Sequence, residues 1–163
     1  MQQTIKYFFI LILGMLMLSG CDASANSTST NLFQYKDSFV GDNSAVVNTI
    51  IHLQGEEYFR GVELSTKEKP YEIIIKYDWS ESELNERHTV IHNASYLFTL
   101  IKNVDLISFH FEKNDGIDEF KIVKDDFQNW FGKNLEEVDN EDELKELIQE
   151  KLKDESDVDQ LFN

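Results

Sequence analysis

The chain is poor in the residues that staple, bend or bridge a fold. Its 163 residues include one cysteine, one proline and seven glycines. A single cysteine excludes an internal disulfide framework and a cysteine-rich zinc site. Basic residues are also scarce, with 15 Lys and Arg against 31 Asp and Glu, a net charge of −16. No basic stripe is available to displace phosphate counterions, which argues against nucleic acid, and none to hold an anionic lipid surface. No phosphate-cradling glycine loop is present, and no serine lies in a Gly-x-Ser-x-Gly elbow. What the chain does have is 41% hydrophobic and 12% aromatic residues. That is enough to bury a core, and the length suits one domain.

The first residues read as a targeting segment. Lys6 is followed by an apolar run of 12 residues, Tyr7 to Leu18. This is shorter than the roughly 17–25 residues of a membrane span and matches the apolar core of a signal peptide. The run ends in Leu18-Ser19-Gly20-Cys21, which resembles the lipobox of bacterial lipoproteins. The resemblance implies diacylglycerol on the Cys21 sulfur, cleavage before Cys21 and acylation of the new amine. Asp22 resembles the residue that keeps Gram-negative lipoproteins at the inner membrane. In a Gram-positive cell the protein would face outward from the only membrane. Both cases give the same expectation, a lipid anchor on the extracytoplasmic face of the cytoplasmic membrane. The expected division is a signal peptide at 1–20, a lipidated cysteine and flexible tether at 21–31, a single α+β domain at 32–153, and an acidic tail at 154–163. Residues 22–31 are small and polar, and as a coil they span roughly 15–20 Å.

From Leu32 the periodicities alternate between helix and strand. Asp42-Asn43-Ser44 offers N-caps for a helix carrying Val46, Val47, Ile50 and Ile51, closed by Gly55. Tyr58 to Thr66 and Tyr71 to Asp78 read as strands, with Tyr71, Ile73, Ile75 and Tyr77 on one face and Pro70 at the entrance. Glu83 to Lys102 reads as the longest helix, with Leu84, Ile91, Phe98 and Ile101 in a stripe beside Val90 and Leu97. Val104 to Glu112 alternates again, placing Ile107, Phe109 and Phe111 inward and Ser108, His110 and Glu112 outward. Asn114-Asp115-Gly116 signals a hairpin whose second strand carries Phe120 and Ile122. Asp125 or Asp126 can cap a short helix bearing Phe127, Trp130 and Phe131, ended by Gly132. Asn140 and Glu143 form a capping box for a last helix with Leu144, Leu147, Ile148 and Leu152 inward. The order is α-β-β-α-β-β-α-α. It predicts an α+β two-layer sandwich, an antiparallel sheet of about four strands with helices on one face, and Asp154 to Asn163 reads as a frayed end.

Two stretches carry a resemblance. Gln34-Tyr35-Lys36-Asp37-Ser38-Phe39-Val40-Gly41-Asp42-Asn43-Ser44 and its Val-rich helix resemble the opening of the domain-of-unknown-function 4825 family. Asn93-Ala94-Ser95-Tyr96-Leu97-Phe98-Thr99-Leu100-Ile101-Lys102-Asn103-Val104 is similar to that family's central helix-to-strand passage. With the hairpin, the likeness covers roughly residues 32–124. It implies a bacterial, mostly Gram-positive domain, found in lipoproteins and as an extracytoplasmic appendage of membrane proteins, some resembling antibiotic-sensing metallopeptidases. The family has no assigned catalytic residues to carry over. Read physically, the first motif is a folding signature: Gly41 permits a tight turn, Asp42 and Asn43 cap, and Tyr35 and Phe39 staple the entering chain.

Candidate chemistry is sparse. His88 and His92 lie four apart on the long helix and could share a metal, but the segment lacks the Glu of a zinc-protease helix and fixes no third ligand. The tail from 134 to 163, with 12 acidic and 3 basic residues, reads as a helix start plus a solvated face. The Asn114-Asp115-Gly116 loop lacks the oxygen ligands of a calcium hand. The expectation is therefore a non-enzyme without a cofactor, a binding or sensory module for an envelope component or membrane-protein partner. Its contacts would come from Asp42, Asn43 and Ser44 at a helix start, or from Ser108, His110 and Glu112 on the wet sheet face. The alternative is a metal-binding lipoprotein or metal-dependent enzyme using His88 and His92.

Overall fold

The computed structural model describes residues 31–163. A 3-10 turn at Leu32–Tyr35 leads to α1 (Asn43–Ile50), and a second at Glu56–Tyr58 leads to β1 (Phe59–Ser65). Then come β2 (Glu72–Asp78), α2 (Glu86–Leu100), β3 (Leu106–Lys113) and β4 (Gly116–Val123). The chain ends with α3 (Lys124–Phe131), a 3-10 turn at Leu135–Glu137, α4 (Glu141–Lys151) and α5 (Glu155–Leu161). The predicted signal peptide, Cys21 and most of the tether lie outside the described residues.

The architecture is the expected α+β fold, a four-stranded open sheet in the order β1-β2-β3-β4. One pairing differs from the expectation. β1–β2 and β3–β4 are antiparallel, but the central pair β2–β3 is parallel. The cause is the connection: α2 lies between β2 and β3, and a helical crossover returns the chain in its original direction. Alternation along each strand is identical in either case, so the sequence pattern does not distinguish them.

Ile73, Ile75 and Tyr77 of β2 and Ile107, Phe109 and Phe111 of β3 are sealed in the core with α2. Glu63, Lys76, Glu112, Glu119 and Lys121 stand exposed on the opposite face. Phe120 is half-buried rather than fully buried, because β4 is an edge strand. Ser108, expected to be wet, is buried: it is a small side chain between Ile74 of β2 and Lys121 of β4 and donates to Glu72 at 2.7 Å.

The helix ends follow their capping chemistry. Asp42 accepts from the Ala45 N–H at 3.1 Å, Asn85 from His88 at 3.1 Å, and Asn140 from Glu143 at 2.9 Å. The start of α3 departs from this. Val123 sits at its N-cap with no side-chain bond, since Lys124 N still donates to Asp105 O at 3.0 Å and β4 runs directly into the helix. Leu84 precedes the Asn85 cap, so it lies outside the stripe of α2 and is 43% exposed. The staple at the first motif also shifts by one residue: Phe39 is 56% exposed and Val40 takes the core position.

The expected frayed end is a helix. α5 buries Val158, and Trp130 donates its indole N–H to Asp157 O at 2.8 Å. Arg87 and His88 of α2 pair with Asp159 and Glu155. Its short acidic sequence conceals this because only Val158 among its residues is fully buried, and its other anchors are contacts with distant segments.

Phe109 lies at the centre of the sheet with no exposure. Phe109→Ala is expected to lower the unfolding free energy by about 3–5 kcal/mol in urea titrations. A loss near zero would contradict the packing.

Candidate functional site

A cleft opens in the described surface where β2 and β3 end. Trp79 N donates to Glu112 O at 2.6 Å, carrying the parallel pairing one residue past β2. The two chains then separate, one into the Ser80–Asn85 loop before α2 and the other into the two-residue Asn114-Asp115 turn. Between them lies a cleft of about 580 Å³ with Trp79 and Phe120 among its apolar walls and Ser80, Ser82, Asn85, Asn114 and Asp115 around it. Leu84 stands on its border, exposed.

Lys113 braces the cleft. Its ammonium lies 2.6 Å from both Glu86 at the start of α2 and Asp118 on β4. These two bonds hold the Lys113 pKa above its ordinary range, and Lys113 in turn lowers that of Asp118. Arg87 is similarly engaged, with Asp159 and with the face of Phe162 at 5.3 Å. Both cations are occupied within the chain, so the cleft presents an apolar floor, uncharged hydrogen-bonding groups and the Asp115 carboxylate rather than an anion site.

The residues singled out in the sequence fall in three separate places. Asp42, Asn43 and Ser44 are exposed at the start of α1, where the Asp42 carboxylate is engaged in capping. Ser108, His110 and Glu112 lie on the open sheet face, where His110 is 3.6 Å from Glu119 and Glu112 is exposed. His88 is 3.0 Å from Glu155, whereas His92 bonds through Nδ1 to Asn93 Oδ1 at 2.9 Å and packs against Tyr96. Each histidine thus has its own partner. Among the described residues no three His, Cys, Asp or Glu side chains gather as a metal site.

The residues that sequence reasoning missed are two asparagines of the second motif. Asn93 has no exposure, and its amide brackets the backbone of Gln54, accepting from its N–H at 3.1 Å and donating to its carbonyl at 2.9 Å. The same NH₂ donates to the Tyr77 hydroxyl at 3.1 Å. Asn103 accepts from the Val40 N–H at 2.8 Å, beside a bond from Lys102 N to Ser38 O. The signal was present: an asparagine within an apolar helical run must find partners when buried. Gly55 belongs to the same junction. It has φ 78°, and a Cβ there would stand 2.9 Å from the Trp79 ring, a position only glycine tolerates.

Taken together, the fold and cleft define an α+β domain with a groove at the carboxyl ends of a parallel strand pair. Residues 32–123, more than half of the chain, match the domain of unknown function DUF4825, and the chain belongs to that family. No curated protein and no solved structure matches it.

Burial lowers the His92 pKa below its ordinary value of about 6.5, partly offset by the Asn93 bond. The unfolded chain therefore binds the proton more readily. The neutral imidazole contributes stability above about pH 6.5, and this is lost as the pH falls toward the folded-state value. Thermal unfolding at pH 7.5 and 5.5 is expected to show a smaller acid-side loss in His92→Gln than in the wild type. Equal losses would contradict the assignment.

Proposed function

We propose that the chain is a lipoprotein tethered through Cys21 to the extracytoplasmic face of the cytoplasmic membrane. Its domain would act as a non-catalytic binding or sensory module for an envelope component or membrane-protein partner. The observation that carries this reading is the order of segments: Lys6, an apolar run, Leu18-Ser19-Gly20-Cys21, a polar tether, and a folded domain from Leu32. Two or three acyl chains anchor firmly, at about 0.8 kcal/mol per buried CH₂, where one chain holds only marginally. No helix among the described residues is long and apolar enough to cross a membrane, so on this reading attachment rests on the lipid.

The contact surface proposed is the cleft beside Leu84. In open sheets with parallel strands, ligands settle outside the carboxyl ends of those strands, where the connections diverge. Here an apolar floor supplies affinity, and the polar groups on the rim, Asp115 among them, supply orientation. The surrounding negative field favours a neutral or basic partner over an acidic one.

Cys21→Ala is expected to leave the membrane fraction or to accumulate as unprocessed precursor, and the wild type to incorporate a clickable palmitate. An unlabelled wild type would refute the anchor. Leu84→Asp changes an exposed position and should leave stability within about 0.5 kcal/mol. It is expected to lose partners that photo-cross-linking in whole envelopes captures on the wild type. An unchanged cross-linking pattern would remove the cleft from the account.

A further inference from the structure

β4 is an outer strand of the sheet, and its free edge is complementary to itself. In the β3–β4 hairpin, Lys113 pairs with Gly116 across a two-residue turn. Such a turn is closed by a hydrogen-bonded pair, so the even-numbered residues of β4 direct their backbone groups toward β3. The bond from Lys124 N to Asp105 O, 3.0 Å, continues this alternation. Ile117, Glu119, Lys121 and Val123 therefore direct their N–H and C=O groups outward. Among the described residues no backbone group of another segment meets them.

The side chains of these four residues share the open face of the sheet. Ile117 is 63% exposed and Val123 43%, two of the few large apolar side chains left in water. Between them stand Glu119 and Lys121, both exposed. Lys121 forms no ion pair among the described residues, and Glu119 has only the 3.6 Å approach of His110.

When β4 is laid antiparallel on a second β4 about a two-fold axis at Phe120, the four positions satisfy one another. Ile117 meets Val123 of the second copy, Glu119 meets Lys121, and the symmetry repeats both pairs. All four are hydrogen-bonded pairs, so the outward backbone groups find partners too. The two neighbouring registers that keep these groups paired fail: one sets Glu119 against Glu119, the other Lys121 against Lys121. Like charges directly opposite are destabilising, so the charges select one register.

We propose that the protein pairs with a second copy of itself through the β4 edge, joining the two sheets into one continuous sheet. The β4 edge adjoins the Leu84 cleft at Phe120, but the pairing depends neither on the proposed use of that cleft nor on the lipid anchor. The test is sedimentation equilibrium of the full chain in density-matched detergent over roughly 1–100 µM, where an interface of modest size is populated. The wild type is expected to show a monomer–dimer equilibrium. Glu119→Lys and Lys121→Glu, each placing like charges opposite twice per dimer, should weaken it roughly tenfold or more. The double variant Glu119→Lys/Lys121→Glu restores opposite charges and should recover the wild-type constant within about threefold. Both positions are exposed, so thermal unfolding of each variant should stay near that of the wild type. A wild type monomeric throughout the range, single reversals without effect, or a double variant that fails to recover would each overturn the proposal.

Discussion

The fold depends on one buried amide. Asn93 sits on the most enclosed helix among the described residues and bonds to both backbone groups of Gln54 and to the Tyr77 hydroxyl. It joins three segments distant in sequence: the turn after α1, the strand β2 and the helix α2. A buried amide left unpaired costs about 1–3 kcal/mol for each orphaned group, so the arrangement is strongly specified. Past the end of the same helix, Asn103 holds the Val40 N–H at the other end of α1. α1 is thus clamped at both ends by asparagines from one segment. The two sides of that clamp, far apart in the chain, both lie within the part that matches the family.

The crossover by α2 has the second large consequence. It makes β2 and β3 parallel, so both strands end at the same edge of the sheet. There the loop before α2 and the β3–β4 turn part, and the cleft opens over Trp79 and Phe120. An all-antiparallel sheet would send these connections to opposite edges. Lys113, bonded to Glu86 and Asp118, ties the start of α2 to the hairpin and holds the opening at its present width.

Much of this was legible in the sequence, and the failures share a cause. Ile73, Ile75 and Tyr77, and Phe109 and Phe111, announce their buried face by alternation, and Asp42 and Asn140 announce helix starts by capping chemistry. These are local signals. The parallel β2–β3 pair follows from the helix read between those strands once they are neighbours. That adjacency, the burial of Ser108 and the docking of α5 depend on partners elsewhere in the chain that no local pattern records. The same holds for the site. His110 and Glu112 lie on the open face as read, whereas Trp79, just outside the alternating strand, gave no sign that it floors a cleft. Asn93 could have been flagged by its polarity within an apolar run, but not its partner.

The clamp is the central claim, and native-state hydrogen exchange tests it directly. Asn103→Ala removes the acceptor for Val40 and leaves Asn93 and the sheet intact. The account predicts that amides of α1, including Val46, Val47 and Ile50, lose protection by a larger factor than those of the β3–β4 hairpin. Uniform loss across α1 and the hairpin, or undiminished protection in α1, would contradict it.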